Sequence, residues 1–169
     1  MAGSPGADLA AGQDSDSTMK KVTIRQATRE DIDAIFQLDN AWEEKGVSYV
    51  FIPVSWEDFM ADFERFQKYF FVAESENRIV GYVNGSVRVN DKVGVLPKQE
   101  TYLEVENIYV LPEFRDRHVG GDFLDRLLAV AGENGIERFV VSTVTRDMDR
   151  ILKFYMHRGF KPWYVELFK

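Results

Sequence analysis

The chain has 169 residues, with 21 Lys and Arg against 28 Asp and Glu, which leaves a formal net charge of −7. An acidic chain without a basic cluster is a poor partner for nucleic acid or an anionic membrane, and the absence of cysteine excludes disulfides and thiolate sites. The sequence has neither a secretion signal nor an apolar run of the ~18–20 residues that would span a bilayer. These features predict one soluble, cytoplasmic domain, as a monomer or a homodimer.

The first 18 residues differ in composition from the rest. They read MAGSPGADLAAGQDSDST, with three Asp, no Lys or Arg and one large aliphatic residue, Leu9. A segment of this composition cannot bury enough apolar surface to offset the entropy of ordering. We therefore expect residues 1–18 to be a disordered tail or an added extension, and residues 19–169 to form the domain.

Two helices are predicted early in the domain, after a short strand at residues 22–26. Thr28 is placed to cap the first helix, with Asp31 three residues later in the capping-box position. Ser55 and Asp58 repeat this spacing at the start of the second helix. The aromatic side of the second helix is interpreted as core in preference to the wall of a pocket. The two apolar faces consist of Ile32, Ile35, Phe36 and Trp42, and of Trp56, Phe59, Met60, Phe63 and Phe66.

The rest of the chain alternates between strand and helix patterns. Gly81 and Gly85 interrupt one strand and predict a bend or bulge, while Asn134-Gly135 and Gly159 each end a helix. Strands are predicted at residues 69–73, 79–89, 101–110, 139–144 and 160–168, and helices at 119–133 and 148–158. This order of elements predicts an α/β layer structure.

The turn between strand 101–110 and the next helix is suited to bind an anion. Arg115 and Arg117 lie in it, and Gly120 and Gly121 open the helix. Glycine allows close approach of the backbone, and the free N–H groups and the dipole at a helix start favour phosphate. The alternative is an ordinary strand–turn–helix connection with solvated arginines.

The same segment, ENIYVLPEFRDRHVGGDFLDRLLAVA at residues 106–131, resembles the pyrophosphate-binding motif of the GNAT superfamily of acetyl-CoA-dependent N-acetyltransferases. That motif is Q/R-x-x-G-x-G/A, and here it reads RDRHVG at residues 115–120. Further along, KFYMHRGF at residues 153–160 resembles the FYxxxGF segment of the family. The order of elements matches as well, so the resemblance covers nearly all of residues 22–169.

The resemblance implies a mixed, mostly antiparallel sheet with a splayed centre, flanked by about four helices. The sheet would part between its fourth and fifth strands, and acetyl-CoA, as the acyl donor, would lie in the gap. The main chain of Ile108, Tyr109 and Val110 would pair with the pantetheine arm. The pyrophosphate would be bound by main-chain N–H groups and arginine charge in the motif, from Arg115, Arg117, His118, Val119, Gly120 and Gly121.

Two positions depart from the family pattern. His118 stands where the motif has its first Gly, so its side chain would crowd the phosphates or hydrogen-bond to them. We expect it to be accommodated, because the glycine pair that follows remains. Met148 stands where the family usually has an Asn seven residues before the Tyr. This removes a side-chain contact to the pantetheine arm, for which Asp147 or Asp149 is a candidate substitute.

Acetyl transfer to an amine requires a neutral amine, donors for the oxyanion and a proton for the leaving thiolate. The resemblance places Tyr155 near the sulfur as the candidate acid; the alternative is a core aromatic with a satisfied hydroxyl. By alternation, Glu104 and Glu106 share one face of their strand with Ile108. Glu104 leads as the candidate base, since it lies where some histone-directed members carry theirs. Exposed carboxylates, with a water chain as the base, are the alternative.

The predicted function is transfer of an acetyl group from acetyl-CoA to a primary amine, by direct attack in a ternary complex. A thiol relay is excluded because the chain has no cysteine. No metal site is predicted, since His118 and His157 lie far apart without ligand spacing. A small-molecule acceptor is favoured over a protein lysine or N-terminus. The rivals are a catalytically silent acyl-CoA-binding regulatory module and a purely structural protein. The acceptor side is expected around Trp42, Tyr49, Phe51 and Trp56.

Overall fold

The computed structural model describes residues 21–40, 54–143 and 147–164. The predicted tail at residues 1–18 lies outside these ranges, as do Trp42, Tyr49 and Phe51. The strands are β1 (Thr23–Gln26), β2 (Phe70–Ser75), β3 (Arg78–Val89), β4 (Thr101–Val110) and β5 (Phe139–Val141). The α-helices among these residues are α1 (Ile32–Asn40), α2 (Trp56–Phe66), α3 (Val119–Glu133) and α4 (Met148–Met156). Short 3-10 turns lie at Arg29–Asp31, Gln67–Tyr69 and Pro112–Phe114.

The five strands form one mixed sheet in the order β1-β2-β3-β4-β5. The first three pairings are antiparallel, and only β4 and β5 run parallel. This confirms the predicted α/β class with a mixed, mostly antiparallel sheet. None of the helices in the described ranges is both long enough and apolar enough to cross a membrane.

The helices cover both faces of the sheet. Phe70 of β2 packs edge-on against Phe59 and Phe63 of α2, with ring centroids 6.2 and 5.3 Å apart. The next residue, Phe71, lies under the guanidinium of Arg126 in α3. Because successive residues of a strand point to opposite faces, α2 and α3 lie on opposite sides of the sheet. The core interpretation of the α2 aromatics is therefore confirmed for its buried members, Phe59, Phe63 and Phe66.

Both predicted helix starts are confirmed. The hydroxyl of Ser55 accepts the N–H of Asp58 at 3.1 Å, and the carboxylate of Asp31 accepts the N–H of Thr28 at 2.8 Å. Arg25 also donates a bidentate hydrogen bond to the Asp31 carboxylate, at 2.7 and 2.8 Å. These donors stabilise the ionised form, so the pKa of Asp31 is lowered to about 2. The side chain thus ties β1 to the start of the first helix.

The strands β2 and β3 form a tight hairpin, and β3 and β4 contain an irregular pairing. Glu76 and Asn77 have φ of 51° and 59°, the left-handed conformation that a two-residue hairpin requires. The register between β3 and β4 shifts between Asn84, which pairs with Asn107, and Gly85, which pairs with Val105. Glu106 is therefore the extra residue of a β-bulge. The irregularity at Gly85 of β3 was predicted. The extra residue, however, lies on β4 and not on the strand that contains the glycine.

Three predicted boundaries near the C-terminus need correction. The strand expected at residues 139–144 ends at Val141, with residue 144 outside the described ranges, and the helix expected to residue 158 ends at Met156. Residues 160–164 of the last predicted strand are not in a strand. Instead, the N–H of Phe160 closes the end of α4 on the carbonyl of Tyr155 at 3.2 Å. Trp163 then packs over Gly94 of the loop before β4.

Candidate active site

The sheet opens between β4 and β5. These strands pair only from Leu103 opposite Phe139 to Val105 opposite Val141, whereas β4 continues to Val110. On its other edge, the continuing part of β4 stays paired with β3 as far as Val110. The main chain of residues 108–110 therefore has β3 on one side and, within the described residues, no β5 pairing on the other.

Gly120, in the first turn of α3, lies beside the part of β4 that has no β5 pairing within the described residues. A β carbon on residue 120 would be 3.9 Å from Ile108 Cγ2 of β4 and 3.8 Å from the Phe154 ring of α4. The N–H of Asp122 is the first in α3 to bond back to the turn, to the carbonyl of His118 at 3.0 Å. The N–H groups ahead of it belong to the unsatisfied start of the helix, which favours an anion.

The two predicted arginines of the turn have different surroundings. Arg115 Nε donates to the carbonyl of Val110 at 2.9 Å, and its guanidinium lies over the ring of Tyr109. Arg117 is exposed and stacks over Phe114, 5.2 Å from the ring centroid. Arg115 therefore holds the end of β4, and Arg117 has the greater freedom to reach a ligand.

Two further arginines reach this region, one from α4 and one from the turn after it, and sequence reasoning missed both. Arg150 Nη2 donates to Asp116 at 2.8 Å, and Arg158 Nε donates to Asp125 at 3.0 Å. The Nη2 atom of Arg158 lies so close to Gly121 that a β carbon there would overlap it. The only signal in the sequence was their position in or beside the KFYMHRGF segment, which does not say what they contact.

Tyr155 lies in an aromatic cluster at the end of α4. Its ring meets Phe154 and Phe160 edge-on, with centroids 5.0 and 5.5 Å apart. Burial disfavours the charged phenolate and raises the pKa of Tyr155 to about 12. The hydroxyl is therefore protonated at neutral pH.

Glu104 and Glu106 meet at one guanidinium. Arg88 of β3 donates to Glu104 Oε2 at 3.0 Å and to Glu106 Oε1 at 2.8 Å, and the Ser86 hydroxyl donates to the same oxygen of Glu106. Burial and the charge of Glu106 raise the pKa of Glu104, while Arg88 acts in the opposite direction. The proton affinity of Glu104 is thus increased.

From strand alternation, Glu104, Glu106 and Ile108 were predicted to lie on one face of β4. This prediction is wrong for Ile108. The two carboxylates share Arg88, but Ile108 Cγ2 points to Gly120 of α3. The extra residue of the bulge breaks the two-residue alternation of β4, so residues before and after it are out of step. The carboxylates and Ile108 lie on opposite faces of the strand.

The carboxylates continue a row of polar side chains on β3 that sequence reasoning also missed. Tyr82, Asn84 and Ser86 are all buried, on the face opposite α3. The Tyr82 hydroxyl donates to Asp39 of α1, and Ser86 bonds Glu106. Between them, Asn84 Oδ1 has no hydrogen-bond partner in the part of the chain that the structure describes. Buried polar atoms are rarely left unpaired in proteins, so this one has capacity for a ligand.

A model of the acetyltransferase (GNAT) family matches residues 27–160. The chain belongs to the GNAT family of acetyltransferases. Membership confirms the resemblance to GNAT N-acetyltransferases found in the sequence, and it agrees with acetyl-CoA as the donor. A comparison with curated proteins found no significant match.

Solved structures of other acetyltransferases share the fold. The aminoglycoside N-acetyltransferase AAC(6')-Iy in complex with CoA is 19% identical, with a TM-score of 0.64, covering 89% of this chain and 94% of that one. A predicted acetyltransferase with acetyl-CoA from Clostridium acetobutylicum is 19% identical, with a TM-score of 0.67 and coverages of 87% and 96%. Glucosamine-6-phosphate N-acetyltransferase from Arabidopsis thaliana is 16% identical, with a TM-score of 0.63 and coverages of 89% and 98%.

The two departures from the GNAT pattern lie at the starts of α3 and α4. His118 has φ of 63°, a left-handed conformation that glycine adopts without steric cost. The glycine it replaces would therefore relieve the backbone as well as remove a side chain. At the start of α4, Asp147 is left-handed too, and its carbonyl accepts the N–H groups of Arg150 and Ile151 at 2.9 and 3.1 Å. Met148 is the first residue of that helix.

Proposed function

We propose that this protein transfers an acetyl group from acetyl-CoA to a primary amine, by direct attack of the amine in a ternary complex. The observation that carries the proposal is the early end of the β4–β5 pairing at Val105, beside the open start of α3. An extended strand edge next to a free helix N-terminus suits a ligand with an amide-containing arm and a phosphate group. Acetyl-CoA has both, and it supplies an activated thioester when bound.

The proposed donor-binding residues are those that the family motif implies, and the geometry supports them. The main chain of Ile108, Tyr109 and Val110 pairs with the pantetheine arm. The N–H groups of residues 117–121, which are Arg117, His118, Val119, Gly120 and Gly121, bind the pyrophosphate. Arg115 and Arg117 add positive charge, with Arg117 the more available of the two because Arg115 is bonded to Val110.

Tyr155 is the proposed general acid for the leaving thiolate. Its support is the resemblance to the family segment, which places this Tyr near the sulfur. Burial keeps the hydroxyl protonated at neutral pH, and the pKa of about 12 makes it a weaker acid than an ordinary tyrosine. Glu104 is the proposed base for the acceptor ammonium, directly or through water. Its raised pKa makes it a better proton acceptor than an ordinary glutamate, and Arg88 limits that rise.

The acceptor is proposed to be a small polar amine. Asn84, Ser86, Glu104 and Glu106 line the face of the sheet opposite α3 with hydrogen-bonding groups. Such a surface suits hydroxyl and ammonium groups better than an apolar side chain. Two acetyltransferases with the same fold are named for polar amines, an aminoglycoside and glucosamine-6-phosphate. This agrees with the proposed class of acceptor.

Two measurements test the function. Calorimetric titration with acetyl-CoA comes first, and no binding at high micromolar donor would reject both the enzyme and the silent binding module. Release of free CoA is then measured with amino sugars, simple alkylamines and peptides carrying a free N-terminus or lysine. We expect turnover with amino sugars. Binding without turnover of any acceptor would favour the regulatory module, and turnover confined to peptides would reject the small-molecule acceptor.

A further inference from the structure

Arg158 lies against the first turn of α3 although it belongs to the turn after α4. Its guanidinium stacks over the ring of Phe154, 4.8 Å from the centroid, and its Nη2 atom occupies the space where residue 121 would have a β carbon. Only glycine at position 121 leaves room for it. The positive charge is thereby placed beside the unsatisfied N–H groups at the start of the helix.

The ion pair that Arg158 makes does not account for this position. Its partner Asp125 has a side chain that is 61% exposed, whereas that of Arg158 is 25% exposed. An ion pair in which the carboxylate is largely exposed contributes little free energy. Packing between Phe154 and Gly121 therefore holds the guanidinium, and the Asp125 carboxylate is the more replaceable group.

We propose that Arg158 binds a phosphate group of the donor, and that the phosphate displaces Asp125 from it. This inference rests on the proposed function. A guanidinium and helix N–H groups at the same turn give an anion two kinds of donor, and arginine pairs with phosphate through two parallel hydrogen bonds. Asp125 neutralises the arginine while the donor is absent, and thus competes with the donor.

The test is the dissociation constant of CoA, measured by calorimetry for the intact chain at two salt concentrations. Arg158→Gln is expected to weaken binding about tenfold and to reduce its salt dependence, because one charge-assisted contact is lost. Asp125→Asn is expected to tighten binding about two- to fivefold, by removing the competing carboxylate. Arg138→Gln is the matched control, because Arg138 makes a similar exposed ion pair with Glu100 at 3.0 Å. It is expected to bind as the wild type does.

Gly121→Ala separates this mechanism from direct contact between Gly121 and the phosphate. A methyl group there displaces the mobile end of Arg158, so the variant is expected to weaken CoA binding as Arg158→Gln does. The double variant is then expected to be no weaker than Arg158→Gln alone. Gly132→Ala, in the same helix, controls for the change in helix propensity, because among the described residues no packing neighbour lies within 4 Å of the added β carbon.

Dephospho-CoA, which lacks the ribose 3'-phosphate, identifies the phosphate concerned. Loss of affinity in Arg158→Gln for both ligands assigns the contact to the pyrophosphate, and loss for CoA alone assigns it to the 3'-phosphate. Wild-type affinity of Arg158→Gln for CoA, or full additivity with Gly121→Ala, would overturn the proposal. Failure of the wild-type protein to bind CoA would instead reject the proposed function.

Discussion

The hydroxyl of Tyr82, in the middle of the sheet, donates a hydrogen bond to Oδ1 of Asp39 near the end of α1. Both side chains are buried, and burial followed by the charge of Asp39 raises the pKa of Tyr82 well above its ordinary value. The pair links the helix layer to the strand that carries Asn84 and Ser86. The sheet face opposite α3 therefore depends on a buried polar contact as well as on apolar packing.

Tyr82→Phe is expected to lower the free energy of unfolding by about 1–3 kcal/mol, because a buried carboxylate loses a donor. Urea unfolding followed by far-ultraviolet circular dichroism measures this. Tyr69→Phe is the control, since the Tyr69 ring is also buried and its hydroxyl makes no hydrogen bond within the described residues. Equal stability losses in the two variants would contradict the importance of the Asp39 contact.

Gly81→Ala is expected to destabilise the protein by about 1–3 kcal/mol, because overpacking against backbone has no cheap relief. The added β carbon would lie 2.6 Å from the carbonyl oxygen of Tyr109 and 3.2 Å from Val110 Cα. These residues belong to the proposed donor edge, so the affinity for CoA should fall too. Thermal unfolding and calorimetry measure the two effects, and a stable variant with normal CoA affinity would count against the close approach.

His118→Gly is expected to stabilise the protein by about 1 kcal/mol, because the left-handed backbone is strained for histidine. His157→Gly is the matched control, since His157 has φ of −61° and gains no relief from glycine. That control should lose about 0.5–1 kcal/mol from glycine entropy, and it also loses the contact of the His157 ring with the carbonyl of Lys153. Chemical denaturation compares them, and destabilisation by both variants to the same extent would show that position 118 carries no strain.

Tyr155→Phe is expected to lower kcat about a hundredfold or more, as removal of a general acid does, while leaving the dissociation constant of acetyl-CoA unchanged. Steady-state kinetics with an accepted amine and calorimetry with the donor separate the two quantities. Tyr164→Phe, at a side chain that is 69% exposed, serves as the control. Full activity in Tyr155→Phe would remove Tyr155 from the mechanism.

Arg88→Gln is expected to move the acidic limb of the kcat/KM profile to higher pH. Arg88 lowers the pKa of Glu104, so its removal leaves burial and Glu106 to raise that pKa further. A base works only above its pKa, and activity should therefore be lost at a higher pH as the solution is acidified. Glu104→Gln should abolish the limb. An unchanged limb in both variants would indicate that water or another group takes the proton.

Local signals in the sequence were sufficient for much of the fold. The bounds of β4 and α3 were predicted because strand alternation, a turn and a helix start follow one another there. The start of α2 was likewise predictable, because the Ser55 hydroxyl accepts the N–H of Asp58, only three residues away. Features that depend on distant residues were not predictable. The bulge at Glu106 exists only relative to β3, and the position of Arg158 only relative to Gly121.

The end of the chain shows the same limit. Phe160 and the residues after it have a strand-like pattern, but Gly159, with φ of 84°, turns the chain back on α4. The Trp163 ring then packs against Gly94, and no local sequence pattern predicts this contact. For the candidate site, family motifs predict the donor turn, whereas the polar row on β3 could be recognised only from the sheet register.

The extra residue at Glu106 has an evolutionary consequence. Under the proposed function, Glu104 and Glu106 meet the acceptor on one face of the sheet, and the main chain of residues 108–110 meets the donor at the open edge of β4. Substitutions at Ser86, Arg88 or Glu104 can then exchange one amine for another while Ile108 and its neighbours keep their contacts with the donor. The choice of acceptor can thus change on β3 and β4 without loss of the acyl source.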